Sequence, residues 1–202
     1  MRKIIIVFFI AALFISAAFN YGIVQGEKIS DSVLRLHIPA NSNSVLDQEI
    51  KLKIRDKVLK KYGHILKMAD NKACAEAIVK NNLSEIEKDV NMWLEQEGAD
   101  YRGKAQLTYS DFPTKDYGNV KLPSGNYRAL KIVLGTGEGE NWWCLMYPPL
   151  CFVEGSIKKV DDKEYEILKK ELGKTAFEVV TKGGQQVFLK FKIVEIVNNI
   201  IG

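Results

Sequence analysis

Residues 104–153 read KAQLTYSDFPTKDYGNVKLPSGNYRALKIVLGTGEGENWWCLMYPPLCFV, and this stretch decides the fold. Ala105, Leu107 and Tyr109 alternate with polar neighbours, Leu130, Ile132 and Leu134 do the same within residues 127–134, and residues 143–147 form a third apolar and aromatic run. Period-two alternation marks a strand, whose side chains point to opposite faces in turn. Gly118 with Asn119, Ser124 with Gly125, and the glycines of 135–139 punctuate the runs as reversals. No helical stretch separates these runs, so antiparallel strands with short connections are expected.

Upstream the period changes to that of a helix. Leu46, Ile50, Ile54 and Val58 recur every four residues, and Leu59 and Tyr62 widen the stripe, while Asp47, Gln48, Lys51, Arg55 and Lys61 take the other side. Ser44 with Asp47 three residues on resembles a capping box with Asp in place of Glu, and Gly63 is placed to stop the helix. Residues 70–97 form a second helical region, with Ala73, Ala77, Ile78, Ile86, Val90, Trp93 and Leu94 as apolar positions; Asn81, Asn82 and Ser84 divide it in two. Ahead of both, Val33, Leu36 and Ile38 make a short strand that Pro39 closes. Downstream, Asp161 or Asp162 caps a helix to Leu172, with Gly173 as its end. Residues 177–181 are ambiguous, and 185–200 fits helix and strand templates alike, its length favouring a helix. Helices, then strands, then helices give a single α+β domain, with N-terminal helices, an antiparallel sheet in the middle and C-terminal helices.

The N-terminus points to export. Arg2 and Lys3 precede an apolar run from Ile4 to Phe19 that only Ser16 interrupts, and Ser16, Ala17 and Ala18 supply small side chains for cleavage before Phe19. The run is shorter than the ~20 apolar residues of a comfortable span. Residues 1–18 therefore read as a signal peptide or, extended through 21–24, as a membrane anchor. Residues 19–32 read as a polar tether and 33–202 as the extracytoplasmic domain, with the membrane touched only by the N-terminal segment. The formal charge of +4 includes Arg2 and Lys3, and no Lys/Arg run follows, which argues against nucleic acid as a partner.

The chemistry-bearing residues are few. His37 and His64 are the only histidines, and neither has Cys or Asp/Glu at ligand spacing, so no metal site is expected. Gly135, Gly137 and Gly139 lack the Lys-Ser/Thr of a phosphate loop and lead into a strand, so they read as a hairpin tip, and no small-molecule cofactor is expected. Cys144 and Cys151 enclose Pro148 and Pro149, which can reverse the chain; outside the cytoplasm they should form a disulfide contributing roughly 2.5 kcal/mol at most. The rival readings are a secreted cysteine-dependent hydrolase, with Cys144 as nucleophile and His37 as base, and inert thiols. Trp142 and Trp143 are adjacent in a strand, so they face opposite ways, and one is a candidate binding anchor. Arg35, Asn41, Ser42, Asn43 and Arg55 with Asn141, Trp142 and Trp143 are the expected partner-contacting residues.

Several blocks together resemble a known family. They are Leu34-Arg35-Leu36-His37-Ile38 with Ala40-Asn41-Ser42-Asn43-Ser44 and Asp47-Gln48; Asp111-Phe112-Pro113-Thr114-Lys115; Pro123 with Gly125 and Tyr127; and Gly135 through Asn141-Trp142-Trp143-Cys144 to Pro148-Pro149-Leu150-Cys151. Across residues 33–155 the chain resembles stage II sporulation protein R. The resemblance implies a non-enzymatic signal made in the forespore and exported to the space between forespore and mother cell. It implies as partner a membrane-embedded aspartic protease of the mother cell, which then cleaves a sigma-factor precursor.

Overall fold

The computed structural model describes residues 2–150, 160 and 162–181, without side chains at 2–4, 7, 8, 10–12, 14 and 17–19. The expected strand–helix order appears in α1 (Arg2–Asp31), β1 (Leu34–Pro39), α2 (Val45–Leu66), α3 (Lys72–Asn81) and α4 (Leu83–Gln96). It continues through β2 (Gly103–Phe112), β3 (Lys115–Asp116), β4 (Lys121–Leu122), β5 (Gly125–Leu134), β6 (Asn141–Tyr147) and α5 (Asp162–Thr181). The class is α+β. The expected helix over 185–200 lies outside the described residues.

The main sheet runs β2-β5-β1-β6, and β3 pairs with β4 in a separate two-stranded ribbon. β2 with β5 and β1 with β6 are antiparallel, whereas β1 and β5 are parallel, which corrects the expected all-antiparallel sheet. The cause is the insertion of β1 between β5 and β6. Residues 135–140 therefore do not close a hairpin; they arch over the C-terminal end of β1 to reach β6.

Both faces of the sheet are covered, so β1 is buried along its whole length. Leu34, Leu36 and Ile38 face Ile50, Ile54, Val58, Tyr62, Ile86, Val90 and Leu94 of α2 and α4. The opposite face packs Tyr127, Ala129 and Leu145 against Ile29 of α1 and Leu168, Leu172 and Phe177 of α5. Strands covered on both sides lose the clean inside–outside alternation of a half-exposed sheet.

Several helix boundaries differ from expectation. α2 continues through Gly63, which is itself buried, and Leu66 joins the core in the added turn. The expected helix end at Gly173 does appear, as a left-handed break (φ 68°, ψ 168°), but a second helical segment follows it within α5 and buries Ala176, Phe177 and Val180. Ala75 and Val79 are the buried positions of α3, while Ala73 and Ala77 are exposed. Residues 19–31, expected as a tether, continue α1, and Ile29 at its end is fully buried. Among the described residues, no helix is long and apolar enough to cross a membrane.

Candidate partner interface at two interlocked loops

The loop after β1 and the arch after β5 lock into each other. Gly139 N donates to Ala40 O (2.9 Å), and Ala40 N donates to Glu140 O (3.3 Å). Thr136 donates through N to Asn41 Oδ1 (3.0 Å) and through Oγ1 to Asn41 O (2.9 Å), while Glu140 N donates to Asn43 Oδ1 (2.7 Å). The approach is close enough to require glycine: a Cβ at Gly139 would lie 2.2 Å from Ser42 O, and one at Gly135 would lie 2.0 Å from Asn41 Oδ1.

Asp47 anchors this assembly to α2. Its Oδ2 accepts from Asn41 Nδ2 (3.0 Å) and Ser42 Oγ (2.5 Å), and its Oδ1 accepts from Tyr101 OH (2.7 Å). Ser44 Oγ accepts from Asp47 N (3.1 Å), so half of the expected capping box forms, but the Ser44 backbone N–H donates to Ser42 Oγ (3.1 Å) and not to the carboxylate. Burial tends to raise the Asp47 pKa, but the bonds from Ser42, Tyr101, Asn41 and Ser44 outweigh it, and the carboxyl is held below its ordinary value. Lys51, also expected on the solvent side, is buried, and its Nζ donates to Glu140 O (3.0 Å) and Gln48 Oε1 (2.5 Å). Burial, opposed by Glu140 and assisted by Arg55, pushes the Lys51 ammonium down.

Asn41, Ser42 and Asn43 thus spend their side chains on the scaffold. Arg35, expected at the surface, has no exposed area: it lies in the second core against the rings of Phe112 and Tyr127. Trp142 and Trp143 do face opposite ways, but each is half-buried. Arg55 stacks on Trp142 (4.1 Å) and binds Asp56 (2.7 Å). Trp143 stacks on His37 (ring centroids 5.9 Å, interplanar angle 15°), whose Nε2 shares a hydrogen bond with Asn141 Oδ1 (2.7 Å). Burial, offset by Asn141 and assisted by Lys131, lowers the His37 pKa.

Residues that sequence reasoning missed stand outermost. Val45 is 77 % exposed and Leu46 60 %, on the first turn of α2 directly after the braced loop, although Leu46 matched the period of the buried stripe. Leu52, one to two turns on, is also exposed. An exposed apolar pair on a rigid support fits an interface better than a reaction centre.

The cysteine–histidine pair of the hydrolase reading does not assemble. Cys144 pairs with Leu36 on the face toward α2, whereas His37 pairs with Trp143 on the other face. The Cys144–Cys151 bridge falls on Cys151, outside the described residues. Among the described residues, no group of three or more His, Cys, Asp or Glu is placed to hold a metal ion.

Comparison with known proteins gives one consistent result. The family model described as stage II sporulation protein R matches residues 30–157. Stage II sporulation protein R of Bacillus subtilis (strain 168) is 39 % identical over 158 residues, covering 76 % of this chain and 70 % of that protein. No solved structure matches the chain.

Proposed function

Because the chain belongs to the stage II sporulation protein R family, and so serves sporulation, we propose that it is an exported signal that activates a membrane-embedded aspartic protease. On this reading it acts between forespore and mother cell, and the protease cleaves a sigma-factor precursor in response. The chain is then a ligand and not an enzyme. The observation that carries the proposal is the braced loop pair with Val45 and Leu46 exposed beside it. Export is supported by the Arg2-Lys3 start of α1 and by the exposed Ile5, Phe9 and Leu13 along it, apolar side chains that a membrane would cover.

Activation needs tighter binding to the active than to the inactive protease. An apolar contact at Val45 and Leu46 supplies such binding without any chemistry of its own. A Cys144–Cys151 disulfide belongs to the same reading. Leu150 N donates to Leu145 O (3.1 Å), so the chain has already reversed after β6, and Cys74 is a free thiol.

The test is reconstitution of the purified protein with the protease and its precursor. Val45→Asp with Leu46→Asp should reduce precursor cleavage at least tenfold while leaving circular dichroism and the melting temperature near wild type. Trp142→Ala should reduce cleavage too, but with a lower melting temperature, because Trp142 packs on the core. Full activation by both folded variants would remove this surface from the mechanism.

A further inference from the structure

A guanidinium with no exposed surface sits at the centre of the sheet. Arg35 projects from β1 against Phe112 (4.1 Å to the ring centroid) and Tyr127 (4.8 Å), two rings that themselves pack edge to face. Its two hydrogen bonds are long: Nε to Cys144 O at 3.5 Å and Nη2 to Tyr117 OH at 3.4 Å. Nη1 has no partner. A buried cation is ordinarily paired, because taking it out of water costs several kcal/mol, and ring faces return only part of that.

The neighbours of Arg35 are donors as well. Lys115 Nζ lies 5.3 Å from the centroid of Trp143 and forms no ion pair among the described residues. Its ammonium is pushed down by burial first and then by Arg35, so the two cations repel each other in a poorly solvated place. Trp143 Nε1 is buried without a partner. Tyr117 OH accepts from Arg35, and its own hydrogen remains to be given. His37 Nδ1 is an acceptor without a partner once Nε2 donates to Asn141, and Ser110 Oγ and Gln25 Oε1 are two more among the described residues, but none of the three carries a negative charge. The nearest ribbon carboxylate, Asp116, faces Lys121 (3.9 Å).

Donors of this kind in one place match an oxyanion. We infer that Arg35, Tyr117, Lys115 and Trp143 form a binding site for a carboxylate. Arg35 and Tyr117 are its floor, and the half-buried Lys115 and Trp143 are its entrance, which must part for the ligand to reach Nη1. One free guanidinium nitrogen in the corner between two rings packed edge to face selects a small planar anion, such as acetate or an Asp/Glu side chain, held by charge-assisted hydrogen bonds. The site lies on the sheet face opposite Val45 and Leu46 and stands independently of the proposed activation.

The full-length protein is melted in increasing sodium acetate against sodium chloride at matched ionic strength, with tryptophan fluorescence recorded in parallel. A ligand that binds only the folded state raises the melting temperature saturably. Acetate should do so where chloride does not, and Lys115→Met, at the rim and tolerant of change, should weaken the apparent affinity roughly tenfold. Arg35→Met, if folded, should abolish the response. A neutral peptide carrying one glutamate separates the sources: binding well above that of acetate assigns the site to a partner's acidic side chain, and equal binding assigns it to free small carboxylates. No saturable acetate response, or one unchanged in Lys115→Met, overturns the site.

Discussion

Removing the Asp47 carboxylate should loosen both loops at once. Three side chains donate to it at 2.5–3.0 Å: Asn41, Ser42 and Tyr101. Hydrogen bonds to charged groups contribute about 1.5–3 kcal/mol each, and bonds converging on one group are not additive. Asp47→Ala should therefore cost about 4 kcal/mol, at the high end for a point substitution. Asp47→Asn keeps the shape and one acceptor, which can still face Ser42 and Asn41 while its amide turns to the Tyr101 hydroxyl, so about half that loss is expected. Urea unfolding followed by tryptophan fluorescence would read these as midpoint shifts of about 2 M and 1 M, taking a slope of about 2 kcal/mol/M. The charge adds a pH signature. A carboxyl held below its ordinary pKa stabilises the fold above the unfolded value of about 3.9, and that contribution is lost as pH falls through the lower folded value. The wild-type protein should thus lose more stability than Asp47→Ala on acidification below about pH 4. An Ala variant within about 1 kcal/mol of wild type, with an identical acid profile, would refute the bracing role.

Gly139→Ala places a methyl 2.2 Å from Ser42 O and forces the loops apart, so melting should show a loss of about 2–3 kcal/mol; an unchanged melting temperature would mean the interlock is not tight. Tyr62→Phe removes the hydroxyl that donates to Asp89, while Lys61 Nζ stays 2.6 Å from that carboxylate, so denaturation should report about 1 kcal/mol. Thiol titration of the unfolded, unreduced protein should find Cys74 alone, and Cys144→Ser and Cys151→Ser should destabilise alike, by roughly 2.5 kcal/mol at most. Three titratable thiols would dismiss the bridge.

The local features of the chain were legible because neighbours in sequence decide them. The period of Ile50, Ile54 and Val58, the break at Asn81 and Asn82, and the alternation of Leu130, Ile132 and Leu134 all reappear as buried faces or boundaries. What failed depended on distant partners. Arg35 and His37 occupy alternate positions of a strand, which reads as a solvent face until Phe112, Tyr117, Tyr127 and Trp143, all distant in sequence, cover them. Asp47 reads as a solvated helix residue until Tyr101, 54 positions away, donates to it. Leu46 keeps the helical period but falls before α2 has met the sheet, so periodicity alone misplaces it. The glycines of 135–139 were correctly turn-forming. Their role as an arch follows only from the parallel pairing of β1 with β5, which no local pattern encodes.

The same long-range pairing separates the motif from the contact surface. The Asn-Ser-Asn-Ser loop and the spaced glycines are the most distinctive strings in the chain, yet their polar groups point at each other. Their chemical specificity is used to fix backbone geometry. What remains outward is plain: Val45 and Leu46, with exposed Thr136 and Glu138 nearby in the arch. A loop already ordered by hydrogen bonds in both directions loses little further entropy when a partner settles on it, so a small apolar contact can retain more of its binding energy. On the proposed reading, substitutions within the motif and substitutions at Val45 or Leu46 should therefore fail differently. The former should lower stability and activation together, as Asp47→Ala would, and the latter should lower activation in a protein that still melts like wild type.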